Sequence, residues 1–214
     1  MKRFLLIILV YNFLFVSTAF AMVQTGTQTS ESLKLEYPLV YLESQSAQMA
    51  INTDIASYVD QFKTSYSKGA FYEGKMTYVV KYEDNQYLSL VLTAYFYYAG
   101  AAHGHYYDYG LVYNKDTGER IPISHFISIA KADQVHYGIL DNVLIIENEW
   151  GKPIKEKFTA SQKRVKRISA DYYLGGNGII KLIYQPYELS SYSDGATRIL
   201  FTPKAIDFFN RQNS

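Results

Sequence analysis

Residues 77–97, TYVVKYEDNQYLSLVLTAYFY, decide the fold. From Thr77 to Glu83, Tyr78, Val80 and Tyr82 fall on one face; from Tyr87 to Tyr97, Leu88, Leu90, Leu92, Ala94 and Phe96 share a face opposite Ser89, Val91, Thr93 and Tyr95. A repeat of two residues is the pattern of a strand with one side on a core. Glu83, Asp84, Asn85 and Gln86 supply a polar turn between the two runs, which predicts an antiparallel hairpin. A third strand, Tyr106 to Asn114, alternates in the same way, with Tyr107, Tyr109, Leu111 and Tyr113 on one side. It ends in Asn114-Lys115-Asp116-Thr117-Gly118, a turn composition in which Gly118 takes positive φ without strain.

Upstream of the hairpin, Ala47, Ile51, Ile55, Val59, Phe62 and Tyr66 recur at steps of three and four, the stripe of an amphipathic helix that stops at Lys68-Gly69. Leu33 to Leu42 reads as a strand that Pro38 bends or confines to a sheet edge. Residues 22–32, MVQTGTQTSES, have no apolar period and read as a flexible leader. Downstream, Asp133 opens a helix whose stripe is Val135, Ile139, Leu140, Val143, Leu144 and Ile146. Asp171 to Leu174 and Gly178 to Tyr184 form a hairpin around Gly175-Gly176-Asn177. Arg198 to Thr202 is a last strand, and Pro203 starts a final helix over Lys204 to Asn210. Strands interspersed with helices, without a βαβα rhythm, predict α+β with a mostly antiparallel sheet and helices packed on one face.

The first residues read as an export signal: Lys2 and Arg3, an apolar run from Phe4 to Val16, then Ala19 and Ala21 flanking Phe20. Asn12 interrupts the run, which is shorter than the roughly 20 residues of a spanning helix, so cleavage after Ala21 and a secreted or periplasmic product are expected, with no membrane attachment afterwards. The 214 residues less these 21 leave 193, enough for one domain with a substantial core. Lys2 and Arg3 leave with the signal, so 21 basic residues become 19 against 20 acidic ones, and nothing general draws the protein to nucleic acid or anionic lipid. The chain has no cysteine, which excludes disulfides, thiolate metal sites and a cysteine nucleophile. Its 22 tyrosines beside 12 phenylalanines suit half-buried strand positions, expected to account for most of them, and binding surfaces as well.

Few residues suggest chemistry. In Gly100-Ala101-Ala102-His103-Gly104-His105 the histidines stand two apart, and with Asp108 they would make a metal site of two imidazoles and a carboxylate. The competing reading, and the favoured one, is a strand-connecting loop whose histidines hydrogen-bond to the backbone. No G-x-S-x-G elbow, H-E-x-x-H helix or Walker loop is present, and nothing calls for a cofactor. Glu147 and Glu149 beside Trp150 fit paired-carboxylate glycosidase chemistry, but their polar surroundings predict solvated charge. Lys152 to Arg167 is basic and reads as a solvated helix or loop, with an acidic-partner site as its alternative. Gln185 to Gly195, QPYELSSYSDG, is too long for a hairpin turn and is either a binding loop or a packed connection.

The stretch Tyr97-Tyr98-Ala99-Gly100-Ala101-Ala102-His103-Gly104, then Tyr113-Asn114, Thr117-Gly118 and Ile121, resembles the Gly-Gly-Ala-His-Gly segment and its continuation in the RsiV-type extracytoplasmic domain. Gly178-Ile179-Ile180, Gln185-Pro186-Tyr187-Glu188-Leu189, Tyr192, Gly195 and Ile199 to Pro203 are similar to that family's C-terminal signature. Glu36-Tyr37-Pro38 with Ile51-Asn52 resembles the small domain that precedes it, found also in the PdaC-type peptidoglycan deacetylase. The likeness implies a PdaC-type N-terminal lobe over 33–118 and an RsiV-like C-terminal lobe over 119–214, packed as one unit. It also implies a non-catalytic module that binds a lysozyme-like protein or a peptidoglycan fragment. Its implied contacts are Pro186, Tyr187, Glu188 and Tyr192, then His103 and Tyr98. Ala101-Ala102 stand where the family carries a second glycine. The anti-sigma signalling and deacetylase activities belong to segments with no counterpart here. The alternative is a metal-dependent hydrolase acting on cell-wall material through His103, His105 and Asp108.

Overall fold

A computed structural model describes residues 21–213. The apolar run and basic start of the predicted signal lie outside the described residues. The fold is α+β, built on two mostly antiparallel sheets stacked face to face.

The first sheet holds β1 (Met22–Ser30), β2 (Leu33–Tyr41), β3 (Glu73–Glu83), β4 (Tyr87–Tyr97) and β5 (His105–Asn114) in that spatial order, with α1 (Gln45–Ser67) across one face. The hairpin of β3 and β4 forms as expected, closed by Asp84, whose side chain accepts from the backbone of Gln86 and Tyr87. Ser44 caps α1 by accepting from Ala47, and Gly69 ends its last turn at φ 73°. The helix stripe of Ile51, Ile55 and Val59 meets Leu88, Leu90 and Leu92 of β4 in one buried core. Each such side chain contributes about 1.5–3 kcal/mol on burial.

β2 runs parallel to β3 only over Leu33 to Leu35. Beyond that point the side-chain amide of Asn52 in α1 takes the neighbour's place, accepting from Val40 N (2.9 Å) and donating to Val40 O (2.7 Å). Pro38 falls in this part of β2, where no strand from β3 requires its missing N–H.

Two expectations need correction. Residues 22–30 are not a flexible leader: β1 pairs with β2 along its whole length. Its polar side chains face water and only Gly26 is buried, so a hydropathy pattern cannot reveal a strand held mainly by backbone bonds. The helix opened near Asp133, α2 (Ala132–Leu140), ends well before Ile146. Asn142 turns the chain at φ 59°, and Ile145, Ile146 and Glu147 form the short strand β6 (Ile145–Glu147). The later hairpin forms as expected around Gly175-Gly176-Asn177, but the central positions of its turn are Asn177 (φ 50°) and Gly178 (φ 70°), with Ile179 N donating to Gly176 O.

The second sheet has the order β6, β9 (Thr197–Phe201), β8 (Ile180–Tyr184), β7 (Tyr172–Leu174). With α2, α3 (Lys155–Ala160) and α4 (Pro203–Gln212) it encloses a second core around Ile139, Phe158, Leu182 and Phe209. Thr202 caps α4 and Pro203 occupies its first turn.

β7 lies over the free face of β4 and β5. Leu174 N donates to Ser89 Oγ (2.9 Å), and a Cβ on Gly110 would meet the Tyr172 carbonyl oxygen at 2.2 Å. Buried beside them, Arg198 of β9 pairs with Asp108 of β5 at 2.5 Å.

Candidate functional site

The connection from β8 to β9 begins with a tight turn, Gln185-Pro186-Tyr187-Glu188, in which Glu188 N donates to Gln185 O (3.1 Å). Pro186 suits the first central position. Tyr187 occupies the second at φ 72°, where glycine or asparagine is usual and another residue costs about 1–3 kcal/mol. Its ring stands half exposed.

Anchors hold this turn from the basic segment. Arg167 grips the Glu188 carboxylate through Nη2 (2.8 Å) and Nε (3.0 Å), and that carboxylate also accepts from Gln185 N (2.6 Å). Lys163 Nζ donates to the backbone carbonyls of Tyr187 (2.5 Å) and Ser190 (2.7 Å). Lys157 reaches Asp194 (2.6 Å), and this bond, with one from Ser191, holds the Asp194 carboxyl below its ordinary pKa. The segment predicted to be solvated is a brace for the loop.

The histidine loop approaches from the first sheet. Tyr97 Oη donates to Ala101 O (2.5 Å) and fixes its start. Gly104 lies so close to Tyr95 that a Cβ would sit 2.2 Å from the ring. His103 Nδ1 donates to Gly104 O (2.8 Å), and its Nε2 lies 3.0 Å from Tyr187 Oη. The Tyr192 ring stacks on His103 at 3.9 Å between centroids, and its hydroxyl donates to Gly104 O (2.7 Å).

Together the two loops frame an open groove of about 420 Å³, lined by Tyr98, His105, Tyr107, Arg167, Tyr187 and Tyr192 among others. Of the residues predicted to bind, Pro186, Tyr187, Glu188, Tyr192 and Tyr98 line this groove, and His103 stands behind Tyr187 and Tyr192. Glu188, however, spends its carboxylate on the turn and on Arg167.

The alternative set of His103, His105 and Asp108 is not brought together. The two imidazoles lie 5.2 Å apart, but strand alternation puts Asp108 on the opposite face of β5 from His105. There it is buried, accepting from Arg198 and from Thr93 Oγ1. No group of three or more metal-binding side chains occurs among the described residues. Glu147 and Glu149 are also not simply solvated: Lys181 pairs with Glu147 (2.6 Å), and Tyr106 Oη donates to Glu149 (2.5 Å). Burial and this carboxylate push the Tyr106 hydroxyl pKa upward.

Sequence reasoning missed Arg167, Lys163 and Tyr107. Tyr107 belongs to the alternating set of β5, yet at the open end of that strand it is 47% exposed, beyond the core that buries Leu111 and Tyr113.

No family model matches the chain, and no curated protein matches it in sequence. Among solved structures, a DUF3298 family member from Bacteroides fragilis NCTC 9343 aligns at 13% identity and a TM-score of 0.55, over 89% of this chain and 92% of its own. A DUF3298 family protein from Pseudomonas aeruginosa PAO1 aligns at 11% identity and a TM-score of 0.49, over 87% of this chain and 94% of its own. The likeness is one of fold, carried by the first of the two.

Proposed function

We propose that this chain is a non-catalytic binding domain that works outside the cytoplasm and holds a cell-wall glycan in the groove between the two loops. The observation that carries this reading is Tyr187: the fold keeps an aromatic residue in a backbone conformation suited to glycine and presents its ring half exposed. Local strain of this kind persists where the surrounding structure over-determines it, as at ligand sites. Lys163, Arg167 and His103 supply that surrounding structure.

The chemistry of the groove fits a largely neutral, hydroxyl-rich ligand. Its charged groups, Arg167 and Glu188, neutralise each other. The exposed lining is aromatic, with flat apolar faces for the C–H face of a sugar and hydroxyls for its polar edge. The signal-like start of the chain supports work outside the cytoplasm, and no helix among the described residues is long and apolar enough to cross a membrane. The RsiV-type resemblance adds a lysozyme-like protein as the competing ligand.

Calorimetric titration of the purified protein with soluble peptidoglycan fragments, and in parallel with lysozyme, tests the reading. Tyr187→Asn keeps the left-handed backbone, which asparagine tolerates, and removes only the ring. The variant is expected to bind fragments about tenfold more weakly, equivalent to about 1.4 kcal/mol, with unchanged unfolding temperature. Full affinity in the variant, or no affinity for fragments in the parent, would sink the glycan reading. Binding to lysozyme alone would replace it with a protein ligand.

A further inference from the structure

Tyr107 and Tyr98 border two grooves. On their far side, away from Tyr187, a second hollow of about 230 Å³ runs between the first sheet and α1, lined by Tyr58, Gln61, Ser65, Phe71 and Tyr109 with the same two tyrosines. The ridge between the hollows is ring upon ring. Phe96 lies nearly parallel to His105 (6.0 Å, 19°) toward the first groove and to Tyr107 (5.9 Å, 22°) toward the second. Tyr107 continues to Tyr109 (6.4 Å), and Tyr109 to Tyr58 on α1 (4.8 Å). At the other end His103 links His105 to Tyr192 and Tyr187.

Cross-strand packing accounts for the inner members of this row, such as Phe96 and Tyr109. It does not account for Tyr98 and Tyr107, which are 43% and 47% exposed on the crest. The hydroxyls of Tyr98, Tyr107 and Tyr109 have no hydrogen-bond partner among the described residues, so each can serve a ligand. The charge near the second hollow is neutralised internally, as in the first: Arg120 is committed to Asp54 (3.3 Å) and to Tyr58 Oη (2.9 Å). The surface is thus an aromatic track on which the Arg167–Glu188 pair neutralises itself, with a polar group from α1, Gln61, at its distal end.

Building on the glycan reading above, we infer that the ligand is a linear glycan strand that crosses the Tyr98–Tyr107 ridge and occupies both grooves, with Tyr107, Tyr109 and Gln61 forming the distal subsite. A single sugar unit or a compact ligand would use the first groove alone. A chain gains a second set of stacking contacts for each unit laid beyond the ridge, and the gain needs no change in the protein.

The test compares uncrosslinked glycan strands released from peptidoglycan, sized as a disaccharide and as a hexasaccharide, by titration calorimetry on the intact protein. The hexasaccharide is expected to bind at least about tenfold more tightly, a margin above the few-fold gain that repeated identical units give by statistics. Gln61→Trp, at an exposed helix position, fills the distal hollow, and Tyr107→Ser removes the ring that leads into it. Gln61→Trp should bring the hexasaccharide down to the disaccharide's affinity while the disaccharide's own affinity stays within twofold, and Tyr107→Ser, at the border of both grooves, should weaken the hexasaccharide more than the disaccharide. Equal affinity for the two lengths, with Tyr187→Asn still weakening both, would overturn the two-groove inference and leave the glycan reading standing. A hexasaccharide advantage that survives both distal variants would overturn it as well. Failure of both lengths to bind would remove the glycan reading and this inference together.

Discussion

Asp194 illustrates how one side chain can couple the binding loop to pH. Lys157 and Ser191 hold its carboxyl below the ordinary value, so the charged form is favoured in the folded loop. A carboxylate lowered in this way contributes stability that is complete above its unfolded pKa and is lost as pH falls through the folded pKa. The protection of amides across residues 190–195, taken relative to the intrinsic rate at each pH, should therefore fall as the pH drops below about 4. Asp194→Asn should exchange quickly at neutral pH already and respond little to acid; a variant with the parent's acid response would assign that response to another group. At this scale the sequence was partly readable. Gln185 to Gly195 read as a loop, but the partner that fixes Glu188, Arg167, lies 21 residues earlier, and nothing in a linear pattern joins the two.

Elements differ in how much of their identity rests on side chains. The helix stripe of α1 and the alternation of β4 were legible because burial selected their apolar residues, and the structure buries those positions. β1 was illegible because its hold is backbone pairing between polar residues, and β6 because three residues are too few to show a period beside the stripe of α2. The short helix α3 and the chain after it looked solvated because lysine and arginine are usually so; here their charged tips satisfy carbonyls and carboxylates of a neighbouring loop. Lys163→Ala tests this brace. Losing two bonds from an ammonium group at a part-exposed site should cost about 1–2 kcal/mol locally. Faster exchange at residues 186–191, with weaker fragment binding and nearly unchanged global unfolding, is expected. A change confined to the global unfolding midpoint would argue that the lysine supports the fold and not the loop.

For the molecule as a whole, the decisive contact is the seam where β7 crosses β5. Gly110 lets the Tyr172 backbone come within a distance no side chain permits, Gly110 N donates to Asp171 (3.2 Å), and the Asp108–Arg198 pair is sealed beside it. Gly110→Ala should destabilise the protein by about 2–3 kcal/mol, the upper part of the roughly 1–3 kcal/mol typical of overpacking a tight interior, measured by denaturant unfolding. A loss under about 0.5 kcal/mol would mean that the sheets can separate to make room. The α+β class and β2 to β5 of the first sheet could be read in advance, whereas this seam could not, since a lone glycine in a strand does not say which backbone it admits.

The groove itself spans that seam: Tyr98, His105 and Tyr107 ride on the first sheet, while Tyr187 and Tyr192 hang from the second. Whatever occupies it fastens both halves and is released when either opens. Occupancy therefore reports on itself as heat resistance, about 2.7 kcal/mol at a hundredfold excess over Kd. At roughly 2–4 °C per kcal/mol for a chain of this size, the protein can sort a panel of unlabelled envelope extracts by melting shift alone.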